Sequence, residues 1–376
     1  MNSQIVHVVI VMPDAIWIDR SDELPALARA LERHSTIGVD TEFLRERTFF
    51  PKLCLLQLAA GDDIWCVDTL RCGSLEPLRA ALTAAASRKV LHSARQDLET
   101  FYLSVKRVIS PVFDTQIAAG CLGLKPQIGY AELVKTLLDV TLPKGQTRTD
   151  WSKRPLTPAQ LEYAADDVLY LGEIAHRQSE RLRALGREHW VTEDCLALED
   201  VRLYQADPAH AWQRLRGLKH LPPAPRARAR ALAVWREAMA RERDLPRGWI
   251  IPDAAIFAIA EMNPANRAAL DAVRALPQPL NESIGASLLA ALSEGSATEL
   301  KDLEPGQESR PTPEQKALIE RLARLVDARA AELGVSAEIL APRGELKALA
   351  MGAREVPVLA GWRLAEIGEK LLESLD

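Results

Sequence analysis

The segment Thr36-Ile-Gly-Val-Asp-Thr-Glu-Phe43 constrains this chain more than any other: an apolar run ends by setting two carboxylates, Asp40 and Glu42, two positions apart. Alternate side chains of a strand share a face, so both acids point the same way. Two anions aimed into one space repel, and a fold keeps such a pair chiefly to hold a cation between them or to shift their pKa values. Three later segments carry the residue types that would complete a metal cage: His92-Ser-Ala-Arg-Gln-Asp97, Val112-Phe-Asp-Thr-Gln116 and Tyr163-Ala-Ala-Asp-Asp167.

The pattern around this segment alternates strands with helices. Ala15-Ile-Trp-Ile-Asp19 reads as a strand, and Ser21-Asp-Glu offers a cap to a helix on which Leu24, Leu27, Ala28 and Leu31 recur at helical spacing. A polar and aromatic loop follows the acidic strand over 44–51. Two apolar runs, Leu53–Leu58 and Ile64–Val67, are parted by Gly61-Asp62-Asp63 and read as a β-hairpin. Then come a helix over 75–86, a strand over 89–92 and a helix from Arg95 with Asp97 in its opening turn. The stretches 111–123 and 129–138 read as helices, with Asp114 placed to cap the first. Thr157-Pro-Ala-Gln160 is a capping box with proline at the first helical position, and predicts one long helix to about residue 185. Tyr163 and Asp167, four apart, are neighbours on its surface.

Beyond about residue 207 strand-like runs stop, and Ala, Leu, Arg and Glu at helical spacing dominate. Ala240-Arg-Glu-Arg-Asp-Leu245 recurs 88 residues later as Ala328-Arg-Ala-Ala-Glu-Leu333, and Ile256–Ala260 recurs 90 residues later as Leu346–Ala350. This predicts two copies of a small helical module, divided near 294. The apolar run Val8–Met12 is far shorter than the ~20 residues a membrane span needs, and residues 1–12 are not assigned to the fold. Five cysteines without C-x-x-C spacing argue against a disulfide framework and a zinc site, and fit a reducing cytoplasm. A formal net charge of -5 excludes a uniformly basic surface, so nucleic-acid contact has to come from local patches.

In this order on an α/β scaffold, Asp40-x-Glu42, Asp97 and Tyr163-x-x-x-Asp167 resemble the DEDD exonuclease pattern with tyrosine, and the helical tail is similar to paired HRDC modules. Together they resemble the ribonuclease D family over nearly the whole chain. The resemblance implies a ribonuclease H-like α/β domain with a central mixed sheet at 1–207, then all-α HRDC-like modules at 208–293 and 294–376. It implies 3′ to 5′ removal of nucleotides from RNA as 5′-mononucleotides, in the 3′ maturation of tRNA precursors and other small RNAs. Asp40, Glu42, Asp97 and Asp167 are then the metal-binding acids, with Asp40 bridging two ions, and Tyr163 orients the attacking water. Helical geometry alone leaves Asp166 and Asp167 both open; the family spacing selects Asp167. Hard oxygen ligands suit Mg²⁺ or Mn²⁺, and two such ions roughly 3.5–4 Å apart serve in-line displacement at phosphorus.

For substrate contact, Arg45-Glu-Arg-Thr-Phe-Phe50 offers cations beside two aromatics, so Phe49 and Phe50 are candidates for base stacking. Lys144, Arg148, Lys153 and Arg154, in the loop before the Tyr163 helix, are candidates for the RNA backbone. Arg226, Arg228, Arg230, Arg236, Arg241, Arg243 and Arg247 predict a local basic surface on the first helical module. Asp114 reads as a cap, and His92 and the cysteines as structural. Two other classes remain open: a DNA exonuclease of proofreading type, and a non-catalytic RNA-binding scaffold, against which the intact acid set argues. RNA is the expected partner; no membrane association and no obligate protein partner are expected.

Overall fold

The computed structural model describes residues 15–143, 149–205, 207–276, 280–297 and 311–375. Residues 1–12, Lys144 and Arg148 lie outside them. Among the described residues six strands form one sheet: β1 (Ile16–Ile18), β2 (Thr36–Leu44), β3 (Lys52–Ala60), β4 (Asp63–Val67), β5 (Arg88–Leu91) and β6 (Val112–Asp114). Their order is β1-β4-β3-β2-β5-β6. The pairs β1–β4, β2–β5 and β5–β6 run parallel and β3–β4 antiparallel, so the sheet is mixed, as expected. The acidic strand β2 is therefore internal, with backbone partners on both sides, and a strand held that way fixes its side chains firmly.

Around the sheet lie α1 (Leu24–Leu31), α2 (Thr69–Cys72), α3 (Arg79–Thr83), α4 (Arg95–Val105), α5 (Thr115–Cys121), α6 (Tyr130–Leu138), α7 (Pro158–Leu169), α8 (Leu171–Ala184) and α9 (Glu188–Leu198). Ile37 and Val39 are fully buried on one face of β2. On the other face Gly38 lets α7 and α8 close on the sheet: a Cβ there would lie 3.2 Å from the Val168 carbonyl oxygen and 3.3 Å from Leu171 Cβ. That close approach brings the acid-bearing end of α7 over the strand that carries Asp40.

Two local expectations are corrected. The helix expected over 111–123 begins only at Thr115. Val112 and Phe113, both good strand formers, pair with Lys89 and Val90 as edge strand β6, and Asp114 then caps α5 by accepting from the Gln116 and Ile117 amides. The long helix expected over 158–185 is broken at Tyr170. The Tyr130 hydroxyl enters its hydrogen-bond ladder, donating to the Asp166 carbonyl at 3.2 Å and accepting from the Tyr170 amide at 3.3 Å. A side chain inserted into the ladder is a sufficient cause for a break.

The chain forms two compact units that do not follow chain order. Among the described residues the first comprises those from 15–43, 53–201 and 312–375, and the second those from 44–52 and 202–311. The second unit is helical, with α10 (Pro223–Arg243), α11 (Arg247–Ile250), α12 (Asp253–Met262), α13 (Arg267–Asp271) and α14 (Glu282–Ala297). They enclose a core of its own that includes Leu232, Ile256, Ile259, Leu270 and Leu288. The helices α15 (Pro313–Leu333), α16 (Ala337–Leu340), α17 (Arg343–Ala350), α18 (Gly361–Arg363) and α19 (Glu369–Glu373) belong to the first unit. Helices α15, α16 and α17 begin 90 residues after α10, α11 and α12. The structural repeat therefore has one offset, and it pairs Ala240 with Ala330, not with Ala328 as sequence matching predicts.

Within the first unit α18 docks on α9. The Trp362 ring stacks on Trp190 with centroids 4.1 Å apart and planes at 10°, and Arg363 binds Asp194 through two parallel hydrogen bonds. The Glu193 carboxylate accepts from the Trp362 backbone amide at 2.8 Å. The Arg187 guanidinium donates to the Cys121 and Leu333 carbonyls. Gly120 and Gly123 allow the approach: a Cβ on Gly120 would be 2.6 Å from Ile339 Cδ1, and one on Gly123 would collide with the Gly334 carbonyl. No helix among the described residues is long and apolar enough to cross a membrane.

Candidate active site

The five residues singled out by the acid pattern converge on one cavity of about 530 Å³ in the first unit. Asp40 and Glu42 reach it from β2, Asp97 from the first turn of α4, and Tyr163 and Asp167 from α7; Thr41, His92, Arg95, Gln96 and Tyr130 also line it. One carboxylate oxygen from each of Asp40, Glu42 and Asp167 lies within 4.8 Å of the other two. Asp97 is set slightly apart, its carboxylate accepting from the Thr41 hydroxyl at 2.5 Å. The start of α4 is itself anchored by Asp114, whose carboxylate accepts from the Ser93 and Ala94 amides as well as capping α5.

Crowding four acids at one end of a sheet raises all their pKa values. Burial is the largest cause throughout; repulsion from other acids of the site adds to it for Asp40, Glu42 and Asp167, and repulsion from Asp114 adds to it for Asp97. Together they push Asp40 well above the ordinary carboxylate range, Glu42 to about 8, and Asp97 and Asp167 to about 7. A hydrogen bond from the Tyr163 hydroxyl works the other way on Asp167. Burial and then the neighbouring acids drive the Tyr163 phenol upward, so at neutral pH it keeps its proton and acts as a donor. Clustered oxygens whose charge is disfavoured until a cation arrives form a donor set suited to a hard divalent metal. Asp166 is buried outside the cavity lining, so of the two adjacent acids it is Asp167 that faces the site.

His92 lines the cavity but is held structurally. One ring nitrogen is 2.8 Å from the Thr115 hydroxyl and the other 3.0 Å from the Ile128 carbonyl, while burial lowers its pKa. All five cysteines are buried and none is in a disulfide. Sequence reasoning missed Tyr130, which lines the site and whose hydroxyl breaks the helix after Asp167; nothing in local periodicity announces a side chain arriving from another helix. It also passed over Arg95, an exposed cation two residues before Asp97 in a segment otherwise singled out.

The expected substrate contacts fare differently. Lys153 is exposed. Arg154 is not available as expected: its guanidinium binds the fully buried Asp68 carboxylate at 2.6 and 2.9 Å and donates to the Cys54, Trp151 and Lys153 carbonyls. It fastens the loop before α7 to the end of β4. Phe49 and Phe50 belong to the second unit, where both backbone amides donate to the Asp244 carboxylate at 3.0 Å and the Phe49 ring lies 4.5 Å from the Arg247 guanidinium. Much of the basic surface expected there is spent internally. Arg236 binds the Ile251 carbonyl and Asp253, Arg241 and Arg247 converge on the buried Glu237, and Arg228 donates to the Ala260 carbonyl.

The fold and the site define a metal-dependent 3′-5′ exonuclease with an appended helical domain, and comparison with known proteins agrees. Residues 15–183 match the 3′-5′ exonuclease family and residues 226–292 match the HRDC domain. The chain is 36% identical to ribonuclease D of Granulibacter bethesdensis over 96% of its length and 92% of that protein's. It is likewise 36% identical to ribonuclease D of Xanthomonas oryzae pv. oryzae, over 96% and 98%. The crystal structure of Escherichia coli RNase D superposes with a TM-score of 0.88 at 29% identity, covering 96% of this chain and 99% of that one. The chain belongs to the ribonuclease D family and is a 3′-5′ exoribonuclease.

Proposed function

We propose that Asp40, Glu42, Asp97 and Asp167 would hold two Mg²⁺ or Mn²⁺ ions, and that the enzyme trims the 3′ ends of tRNA precursors in the cytoplasm. The observation that carries the site assignment is the convergence of three carboxylate oxygens within 4.8 Å in a cavity that also holds Asp97 and Tyr163. When bound, the ions supply an activated water and neutralise the leaving oxygen of the phosphodiester. Tyr163, neutral at physiological pH, donates to Asp167 and leaves its phenolic oxygen to orient the attacking water. Thr41 fixes Asp97 through its hydroxyl. Arg95, at the cavity, is placed to meet a backbone phosphate. A tRNA precursor as substrate is supported by the relative from Escherichia coli, described as an exoribonuclease involved in structured RNA processing.

The test is Asp40→Asn, assayed on 5′-labelled RNA and matched DNA with and without Mg²⁺. It is expected to abolish hydrolysis in a folded protein, and near-normal turnover would remove Asp40 from the site. Without metal the same change is expected to raise the melting temperature above neutral pH. The folded state keeps protons on Glu42, Asp97 and Asp167 up to about pH 7–8, whereas unfolded carboxyls release theirs near pH ~4. The folded state therefore binds more protons between those limits, so metal-free stability falls as pH rises through that window, and removing one acid relieves part of the loss.

A further inference from the structure

Gln57 is fully buried in β3, and neither its side-chain nitrogen nor its side-chain oxygen has a hydrogen-bond partner. Burying both ends of an amide unpaired is unfavourable, and a leucine or methionine would fill the same space without that penalty. Its position says what the amide is for. β2 and β3 are hydrogen-bonded neighbours, and residues 45–51 form a connection too short for a parallel crossover, so the pair is antiparallel. The register follows from Gly38, where an added Cβ would lie 3.5 Å from Ala59 Cβ. With Gly38 opposite Ala59, Asp40 is opposite Gln57. Both point to the face covered by α7, since Gly38 on that face also meets Val168 and Leu171. Directly opposed residues have Cβ atoms about 4.5–5.5 Å apart, a span that a glutamine amide closes easily onto a carboxylate.

We propose that Gln57 is a positioning residue of the metal centre, its Nε2–H, unpartnered without metal, donating to the Asp40 carboxylate when that carboxylate would hold a cation. The proposal rests on the acid set holding metal. The same arrangement is built at two other acids, where the Thr41 hydroxyl donates to Asp97 and the Tyr163 hydroxyl to Asp167. A metal-binding carboxylate oriented by a neighbouring donor holds its ion more tightly, and loss of such a donor typically weakens binding about 10–100-fold.

The experiment is calorimetric titration of the full chain with Mn²⁺ alone, comparing Gln57→Leu, Asp40→Asn and the unaltered protein. Gln57→Leu is expected to weaken Mn²⁺ binding roughly 10–100-fold while the metal-free melting temperature stays level or rises, because an unpaired polar group has been removed. With excess metal its kcat should fall and its KM for RNA should hold. Should the leucine variant fail to fold, Gln57→Met, flexible and of similar length, takes its place. Unchanged Mn²⁺ affinity in either folded variant, with affinity lost in Asp40→Asn, would overturn the role of Gln57 alone and leave its amide to a buried water. Unchanged affinity in Asp40→Asn would overturn the metal assignment itself, and the Gln57 proposal with it.

Discussion

The two helical modules share one backbone plan and are put to opposite uses. In each, a 21-residue helix, α10 or α15, ends in a left-handed residue, and the next amide, Leu245 or Val335, returns to the Ala240 or Ala330 carbonyl at 3.0 Å. A four-residue helix follows, then a proline, then a third helix. The first module encloses its own core and turns several arginines inward. The second gives Trp362 and Arg363 to α9 and becomes part of the catalytic unit. The left-handed position marks the divergence. In the second module it is Gly334, conformationally free and close to Gly123. In the first it is Asp244, which accepts some backbone strain at φ 48° and uses its carboxylate to hold the Phe49 and Phe50 amides. A shared fold thus says little about employment; the few side chains that reach off the module decide it.

The largest effect should come from breaking the buttress. Trp362→Ala removes a buried ring stacked on another buried ring, and should destabilise the first unit by about 3–5 kcal/mol, read as a lower midpoint in denaturant unfolding. A loss under ~1 kcal/mol would mean that α18 merely rests on α9. A smaller effect is expected from Asp244→Ala, which should cost about 1 kcal/mol because its two hydrogen bonds are solvent-exposed. Hydrogen exchange should quicken at the Phe49 and Phe50 amides but not at β5. Unchanged protection there would dissolve the contrast between the modules. The smallest change is Gly334→Ala. No atom lies within 4 Å of the added Cβ, so only left-handed strain opposes it, about 1 kcal/mol. A penalty approaching that of Trp362→Ala would show that the glycine, not the tryptophan, governs docking.

Much of the scaffold is legible in the sequence because the signals are local. Alternating apolar runs mark β3 and β4, the Thr157 capping box marks the start of α7, and Asp114 caps the helix it is placed to cap. The acids were readable for the same reason: Asp40 and Glu42 share a strand face, and Tyr163 and Asp167 share a helix face. What escapes is long-range. Tyr130 breaks a helix from 36 residues away, Arg154 finds Asp68 86 residues earlier, and Asp244 reaches Phe49 across 195. The arginines of the first module look like a basic surface because composition does not reveal the single buried Glu237 that gathers Arg241 of α10, Arg247 of α11 and Arg214 ahead of them.

The interleaving of the two units also has a meaning in time. Residues up to 201 leave the ribosome with α9 complete and the Trp190 ring without its stacking partner Trp362, and the segment that carries that partner begins only at 312. At roughly 5–20 residues per second, the intervening stretch of about 110 residues takes some 5–20 s to synthesise. The loop at 44–52 waits in the same way for Asp244. During synthesis the nuclease portion therefore passes through a stage with its docking surface bare and the loop after its acidic strand unclamped, so the nascent chain is at its most aggregation-prone just when the first helical module is being made.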